Sequence, residues 1–353
     1  MELFNRKQNI ENSLAPKRVL VIYGSRRVGK TTILKKYLST QKGRILYSTG
    51  DDISIRQIFE SEQRVRILNF AESYDIIGID EAQQIPRVGL GIKMIIDEFP
   101  DKNIILTGSS SFDLSREVGE PLTGRHFELL LLPIAQEEIG LGKFELENQI
   151  EKFLLYGSYP EVLLQPDSNS KTRILKELVS SYLFKDVLAL DRIKSPSLLL
   201  DITKYLAFQI GNEVSHNEIA KTVGANTKTV ARYIDLLEKM FVIKKVRGYS
   251  RNLRNEISKK SKYYFIDLGI RNAVIANFNP LDTRDDVGGL WENFIFMELF
   301  KKRNAGENLE EFYFWRTHSG QEIDIIRDSE KGLEAFEVKW KKDKVKEPGL
   351  WRE

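Results

Sequence analysis

The stretch that decides the fold reads Gly24-Ser25-Arg26-Arg27-Val28-Gly29-Lys30-Thr31-Thr32. It fits the phosphate-loop pattern G-x-x-x-x-G-K-[ST] at every fixed position. An apolar run from Arg18 to Tyr23 precedes it and predicts a strand, and residues Thr31 to Leu38 predict a helix after it. The two glycines allow backbone N–H groups to face inward, and the helix adds the positive end of its dipole. The sequence therefore predicts that this loop binds a polyphosphate.

Two side chains of the loop have predicted roles in binding a nucleoside triphosphate and its metal ion. The Lys30 ammonium is expected to reach the β and γ phosphates of ATP, and the Thr31 hydroxyl is expected to ligate Mg²⁺. The structural alternative is a glycine turn between a strand and a helix. The pattern favours ATP and Mg²⁺ as the ligands of this loop.

A second informative segment is the apolar run from Tyr74 to Ile79, which ends in the adjacent carboxylates Asp80 and Glu81. This is a Walker B pattern, in which Asp80 holds Mg²⁺ and Glu81 polarises the attacking water. An acidic pair can also simply begin a turn. The segment follows the phosphate loop after one intervening strand and helix, and in a parallel sheet both motifs then lie at carboxyl ends of strands. That arrangement favours the catalytic interpretation.

Two further residues are candidates for the same site. Ser109 follows the predicted strand Asn103 to Thr107, where a hydroxyl could hydrogen-bond the γ-phosphate or the lytic water. A serine cluster at a strand end is also typical of a turn. Arg125 precedes the apolar run Phe127 to Leu132 and could neutralise charge on the phosphate, in cis or from a neighbouring subunit. Its alternative is a surface arginine that closes a loop.

The order of these motifs resembles that of bacterial and archaeal AAA-type ATPases with a carboxy-terminal domain of uncharacterised function. The resemblance covers nearly the whole chain, although members usually carry a second glycine at the position of Ser158. The family implies an ATPase with a helical lid, a winged-helix element and a terminal nuclease-like fold. The expected fold class is therefore α/β, with a P-loop core on a parallel sheet. The resemblance continues through Tyr156-Gly157-Ser158-Tyr159-Pro160-Glu161 and Tyr182-Leu183-Phe184-Lys185-Asp186.

Four domains are expected along the chain of 353 residues. They are an ATPase domain in residues 1–140, a helical lid in 141–195, a winged-helix domain in 196–270 and a restriction-endonuclease-like α/β domain in 271–353. The sequence ends at Glu353, where such a fold would continue with a further strand and helix. Either the given sequence is shortened or this domain is a reduced form of that fold.

Composition narrows the class of protein. The sequence has no cysteine, which excludes disulfides and thiolate metal sites and suits a reducing cytoplasm. No apolar run reaches the roughly 18 residues needed to span a bilayer, and the amino terminus lacks the hydrophobic segment of a signal peptide. A cytoplasmic protein without a membrane partner is expected. The net charge of +3 is too small to indicate a nucleic-acid partner by itself.

The middle of the chain has helix-turn-helix spacing. Ser215 and Glu218 form a predicted capping box before a short helix, Gly224 marks the turn, and Thr227 to Met240 predicts a longer helix. The basic run from Lys244 to Lys262 predicts a wing that contacts DNA phosphates. The alternatives are a lid or a protein contact, with the basic run as a solvated loop. The candidate DNA contacts are Lys228, Thr229, Arg232, Arg247, Arg251 and Arg254, with Tyr233 beside them.

The carboxy-terminal region carries a candidate metal site. A predicted strand from Leu333 to Trp340 places Glu337 and Lys339 on the same face, two residues apart. Asp324 lies on the preceding predicted strand, as in restriction-endonuclease-like folds, which this region resembles. Asp324 and Glu337 are expected to bind Mg²⁺, and Lys339 to help activate water. Glu292 could complete the site from the preceding helix, and the alternative is an inactive domain.

Three functions are compatible with these patterns. The leading one is a switch or motor that hydrolyses Mg-ATP and acts on DNA or on a protein partner. The second is an ATP-gated, Mg-dependent DNA nuclease. The third is a regulatory module that binds DNA or protein and whose conformation is set by ATP.

Overall fold

The computed structural model describes residues 4–108, 122–180, 195–250, 260–305, 310–317 and 321–340. The chain divides into two compact units. One comprises Arg6–Leu132, and the other comprises Pro133–Glu353 together with Met1–Asn5. The first unit therefore ends before the expected domain boundary at residue 140. The second unit contains all the residues for which a lid, a winged helix and a carboxy-terminal domain were expected.

The first unit is built on a parallel sheet. Its described strands are β1 (Val19–Tyr23), β2 (Ile45–Thr49), β3 (Ile76–Asp80), β4 (Asn103–Gly108) and β5 (His126–Leu130). Every neighbouring pair runs parallel, in the order β2-β3-β4-β1-β5. The α/β fold with a parallel sheet is thus confirmed. All residues of β1 and β3 are buried, as expected of central strands covered on both faces.

The helix that follows the phosphate loop packs closely on β3. A Cβ atom at Gly78 of β3 would lie 2.8 Å from the Leu38 side chain and 3.2 Å from that of Leu34. Glycine therefore permits the close approach of the helix that begins at Lys30. The described helices of this unit are α1 (Lys30–Thr40), α2 (Ile53–Glu60), α3 (Arg64–Glu72) and α4 (Val88–Glu98).

The second unit contains a mixed sheet. Its described strands are β6 (Glu213–Val214), β7 (Ile243–Gly248), β8 (Ser261–Phe265), β9 (Glu311–Arg316), β10 (Glu322–Ser329) and β11 (Gly332–Phe336). Their order is β11-β10-β9-β7-β8-β6, with only β7 and β9 parallel among these neighbours. The expected domain boundary at residue 270 is therefore corrected. Because β7 pairs with β9, strands from both sides of that boundary belong to one sheet.

The predicted capping box is confirmed in the second unit. The Glu218 N–H donates to Ser215 Oγ at 3.2 Å, and the Ser215 N–H donates to Glu218 Oε2 at 2.8 Å. Gly224, with φ of 67°, ends the capped helix. No described helix of the chain is both long and apolar enough to cross a bilayer. The described helices of this unit are α5 (Lys143–Asn148), α6 (Ile150–Tyr156), α7 (Pro160–Leu163), α8 (Ser168–Leu178), α9 (Pro196–Phe208), α10 (His216–Val223), α11 (Thr227–Lys239), α12 (Leu268–Val274) and α13 (Val287–Ala305).

Helix α13 is fixed along β8 by one asparagine and one aromatic pair. The Asn293 side chain accepts from the Phe265 N–H at 2.7 Å and donates to the Phe265 carbonyl at 2.9 Å. One turn later, the Phe296 ring stacks on Tyr264 with 4.1 Å between centroids. These contacts place the first half of α13, including Glu292, over β8.

Candidate functional site

The phosphate loop lies between the end of β1 and the start of α1. Gly24 has φ of 150°, and a Cβ atom there would lie 2.0 Å from the Leu131 carbonyl oxygen. Gly29 has φ of 102°. Positive φ and close backbone contact explain why the pattern needs glycine. No side chain caps the start of α1, which is the arrangement in which a helix N-terminus binds an anion.

Arg6 supports the loop from outside. Its Nη1 donates to the Leu132 carbonyl at 2.9 Å, and its Nη2 donates to the Val28 carbonyl. The C=O and N–H groups of a trans peptide unit point in opposite directions. The contact with the Val28 carbonyl therefore turns the Gly29 N–H away from Arg6. This positioning contact is not part of the phosphate-loop pattern.

Lys30 is buried at the start of α1. Its Nζ donates to the carbonyl oxygens of Gly24 at 3.0 Å and of Ser25 at 2.9 Å. Burial lowers the pKa of Lys30 to about 8, while Glu81 and Asp80 oppose this decrease. An anion next to this ammonium would offset the cost of burying its charge. The surroundings of Lys30 therefore fit the phosphates of a nucleotide.

Asp80, at the end of β3, is surrounded by hydroxyl groups. Thr31 Oγ1 donates to Asp80 Oδ2 at 2.6 Å, and the Tyr47 hydroxyl lies 3.4 Å from the same oxygen. The Thr107 hydroxyl donates to the other carboxylate oxygen. The two predicted Mg²⁺ ligands, Thr31 and Asp80, are thus in contact. Oxygen ligands of this kind are those that Mg²⁺ uses beside phosphates and water, so these residues fit the ion.

Glu81 is positioned through its backbone. It has a left-handed conformation with φ of 50°, and its N–H donates to Thr107 Oγ1 at 3.2 Å. Its carboxylate accepts a hydrogen bond from Gln83. Thr107 therefore contacts both acidic residues, Asp80 by its hydroxyl hydrogen and Glu81 by its oxygen. The sequence interpretation missed Thr107, whose signal was a polar residue at the end of an otherwise apolar strand beside β3.

The other two candidates for this site were Ser109 and Arg125. Ser109 lies outside the described residues. Arg125 lies at the amino end of β1, because its carbonyl accepts from the Val19 N–H at 2.9 Å, and its guanidinium pairs with Asp97. The phosphate loop is at the carboxyl end of β1. Of the two alternatives given for Arg125, this position does not favour action in cis, and action from a neighbouring subunit stays a prediction.

The candidate DNA contacts differ in the solvent exposure of their side chains. Lys228 and Arg232 are exposed on α11, Thr229 is half-buried, and Arg247 is exposed on β7. Tyr233 is only 3% exposed and belongs to the core, which corrects its placement beside a groove. It lies three residues after the buried Val230, and this spacing returns to the same face of a helix. Arg251 and Arg254 lie outside the described residues.

The predicted nuclease residues are arranged differently from the expectation. Glu337 and Lys339 follow the end of β11 at Phe336, so the strand does not set their direction. They pair with each other, with 2.6 Å between Lys339 Nζ and Glu337 Oε1. The prediction that they share a strand face is therefore wrong.

Glu292 and Asp324 converge instead on a buried lysine. Lys262 Nζ donates to Glu292 Oε1 at 2.8 Å and lies 3.8 Å from Asp324 Oδ1. The Tyr264 hydroxyl donates to the same Glu292 oxygen at 2.6 Å. Within the described ranges, no three histidine or acidic side chains form a group that could hold a metal ion. The residues that converge here therefore do not fit the predicted Mg²⁺.

Three family models match successive parts of the chain. Residues 16–140 match an AAA domain. Residues 147–281 and 287–348 match two models described as domains of unknown function, DUF8612 and DUF4143. The AAA match includes the phosphate loop, Asp80 and Glu81.

Two uncharacterized relatives align with most of this chain. An uncharacterized protein of Methanocaldococcus jannaschii is 27% identical, over 90% of this chain and 74% of its own length. An uncharacterized protein of Haemophilus influenzae is 25% identical, over 80% of this chain and 74% of its own. AMPPCP-bound DnaA from Aquifex aeolicus matches 63% of this chain and 81% of its own, at 19% identity and a TM-score of 0.28. The AAA match and the geometry of the loop together support an AAA-type, nucleotide-binding P-loop domain in residues 16–140.

Proposed function

We propose that the Arg6–Leu132 unit binds Mg-ATP and hydrolyses it. The observation that carries this proposal is the contact of 2.6 Å between Thr31 and Asp80 beside the buried ammonium of Lys30. A hydroxyl and a carboxylate suited to Mg²⁺ thus accompany a cation suited to phosphate. The AAA match over residues 16–140 supports the same function.

Each residue of the site has a distinct role in this proposal. Lys30 supplies positive charge to the phosphates, and Thr31 and Asp80 hold the metal ion. Mg²⁺, when bound, neutralises charge on the phosphate oxygens. Glu81 acts as the general base that orients the attacking water. Thr107 fixes the direction of Asp80 and of the Glu81 backbone.

Replacement of the general base separates binding from turnover. Glu81→Gln keeps the size of the side chain and removes its basicity, so we expect ATP turnover to fall at least about 100-fold. The affinity for Mg-ATP should change by less than about threefold, because Glu81 is not assigned to hold the phosphates or the metal ion. Phosphate release and calorimetry measure the two quantities.

The matched control is Glu60→Gln, an exposed glutamate of α2. It should retain both turnover and affinity. Turnover by Glu81→Gln at the wild-type rate would contradict the assignment of Glu81, and an absence of turnover in the wild-type protein, with and without DNA, would contradict hydrolysis.

A second candidate function is an ATP-driven switch that acts on DNA through α11. The favouring observation is the exposure of Lys228 and Arg232, which are four residues apart on one face of that helix. Filter binding to duplex DNA over a salt series, with and without ATP, tests this function. The Lys228→Ala, Arg232→Ala double variant should bind more weakly and reduce the slope of log affinity against log salt by about two. Unchanged DNA binding by the double variant would favour a protein, rather than DNA, as the partner of the switch.

A further inference from the structure

We propose that Lys262 is the permanent counter-cation of Glu292 and Asp324, in the place where a restriction-endonuclease-like site would hold a divalent metal ion. The inference concerns the Pro133–Glu353 unit and does not depend on ATP binding. The site is then a metal-independent element of the fold rather than a catalytic centre.

A side-chain ammonium lies between the two carboxylates of this site. Glu292 Oε1 accepts from Lys262 at 2.8 Å and from the Tyr264 hydroxyl at 2.6 Å. Asp324 Oδ2 accepts the Val338 N–H at 2.7 Å, and its Oδ1 faces Lys262 at 3.8 Å. A Mg²⁺ ion needs oxygen ligands at about 2.0–2.1 Å in octahedral geometry. The Lys262 ammonium occupies the space between the two carboxylates where such an ion would have to lie.

The fold specifies this arrangement of Lys262, Glu292 and Asp324. Lys262 and Tyr264 are two residues apart on β8 and therefore share a face. Asn293 holds α13 against β8 and so brings Glu292 to that face. In β10 the pairing register with β9 shifts between Ile323 and Ile326, so a bulge surrounds Asp324. Three separate elements, β8, α13 and β10, thus bring the three charged side chains together.

Electrostatics favours the same arrangement. Lys262 is 3% exposed, Asp324 4% and Glu292 8%, so all three are shielded from water. Burial raises the pKa of Glu292, and the Lys262 ammonium and the Tyr264 hydroxyl oppose this increase. Two buried carboxylates without a neighbouring cation would be strongly unfavourable. Lys262 therefore supplies one positive charge at the place where a metal ion would otherwise supply two.

Removal of the ammonium tests the proposal through stability. Lys262→Met keeps the length of the side chain and removes its charge, and we expect a decrease of about 5–10 °C in melting temperature. The double variant Lys262→Met, Glu292→Gln leaves fewer uncompensated charges and should recover part of that loss. Equal melting temperatures for the wild-type protein and Lys262→Met would overturn the proposal.

Metal titration gives an independent test. It uses the full chain with Asp80→Asn, which removes the carboxylate ligand of the metal ion proposed at the ATP site. Mg²⁺ or Mn²⁺ should leave the melting temperature of this protein unchanged relative to EDTA. Addition of Lys262→Met should create stabilisation by Mn²⁺, because the carboxylates are then free to bind a cation. Metal stabilisation with Lys262 intact that disappears in Glu292→Gln would overturn the proposal, even if Lys262→Met itself fails to fold.

Discussion

The two units each bury a lysine close to carboxylates, and the two lysines differ in the atoms that they contact. Lys30 is 5% exposed and Lys262 is 3% exposed. Lys30 donates to neutral backbone carbonyls, whereas Lys262 donates to the Glu292 carboxylate at 2.8 Å. The charge of Lys30 is therefore available to an anionic ligand, and the charge of Lys262 is balanced within the fold. The comparison teaches that the hydrogen-bond acceptor of a buried lysine, rather than its burial, distinguishes a binding group from a structural one.

The largest effects are expected from replacing the two lysines, one of which should change ATP affinity and the other the melting temperature. Lys30→Met should weaken Mg-ATP binding by about 100-fold or more, because it removes a charged contact with the phosphates. Its melting temperature without nucleotide should stay within about 2 °C, since the partners lost are neutral carbonyls. Lys262→Met should show the reverse, with a lower melting temperature and unchanged ATP affinity. Calorimetry measures the ATP affinity of both variants, and thermal unfolding measures their melting temperatures. If both substitutions changed the same quantity, the distinction between the two lysines would be contradicted.

The next effect concerns pH. Burial lowers the pKa of Lys30 to about 8 in the protein without ligand, so this lysine is mostly charged below pH 8 and loses its proton above it. ATP binding requires the charged form. The affinity for ATP should therefore be constant below pH 8 and fall by up to about tenfold per unit above it. Titrations from pH 7 to pH 10 would measure this dependence, and a residual affinity of Lys30→Met that fell equally would contradict the assignment.

A smaller effect is expected from Thr107, the hydroxyl shared by the two acidic residues. Thr107→Val keeps the shape of the side chain but removes the contacts with Asp80 and Glu81, so turnover should fall about tenfold. Thr107→Ser keeps a hydroxyl and should restore most of it, which a purely apolar packing role would not explain. The exposed Thr40→Val serves as the control. Steady-state phosphate release measures all three variants.

The smallest effect is expected from Arg6, which acts on the loop without a proposed contact to the chemistry. Arg6→Ala should weaken Mg-ATP binding about threefold to tenfold, because it removes hydrogen bonds to the Val28 and Leu132 carbonyls. Arg18→Ala is the matched control, since Arg18 donates to the Gly124 carbonyl at the other end of β1. Equal affinities for the two variants would show that Arg6 does not position the loop.

The nucleotide site could be predicted in large part because its residue types imply a particular local backbone structure. The glycine pattern specifies positive φ, and the apolar run before Asp80 specifies a buried strand that ends at a carboxylate. These local rules place Lys30, Thr31 and Asp80 near the carboxyl ends of the parallel strands. Thr107 could not be assigned in this way, because its role depends on β4 lying beside β3, which is a long-range pairing.

The cluster of Lys262, Glu292 and Asp324 was harder to predict from the sequence. The rule that residues two apart share a face applies only within a strand, and β11 ends before Glu337. Lys262 was interpreted as part of a basic wing, because sequence alone does not indicate that α13 packs on β8 and that Lys262 is buried there. Glu292 and Asp324 were chosen as acidic residues of the same site, but the cation between them comes from a strand whose pairing only the tertiary structure defines.

The most direct test of the central claim is calorimetric titration of the full chain with Mg-ATP. We expect saturable binding near one nucleotide per chain in the wild-type protein. Binding should be lost in Lys30→Ala and kept in Lys36→Ala, because Lys36 is an exposed lysine of the same helix. An absence of binding to the wild-type protein, or equal binding to Lys30→Ala, would contradict it.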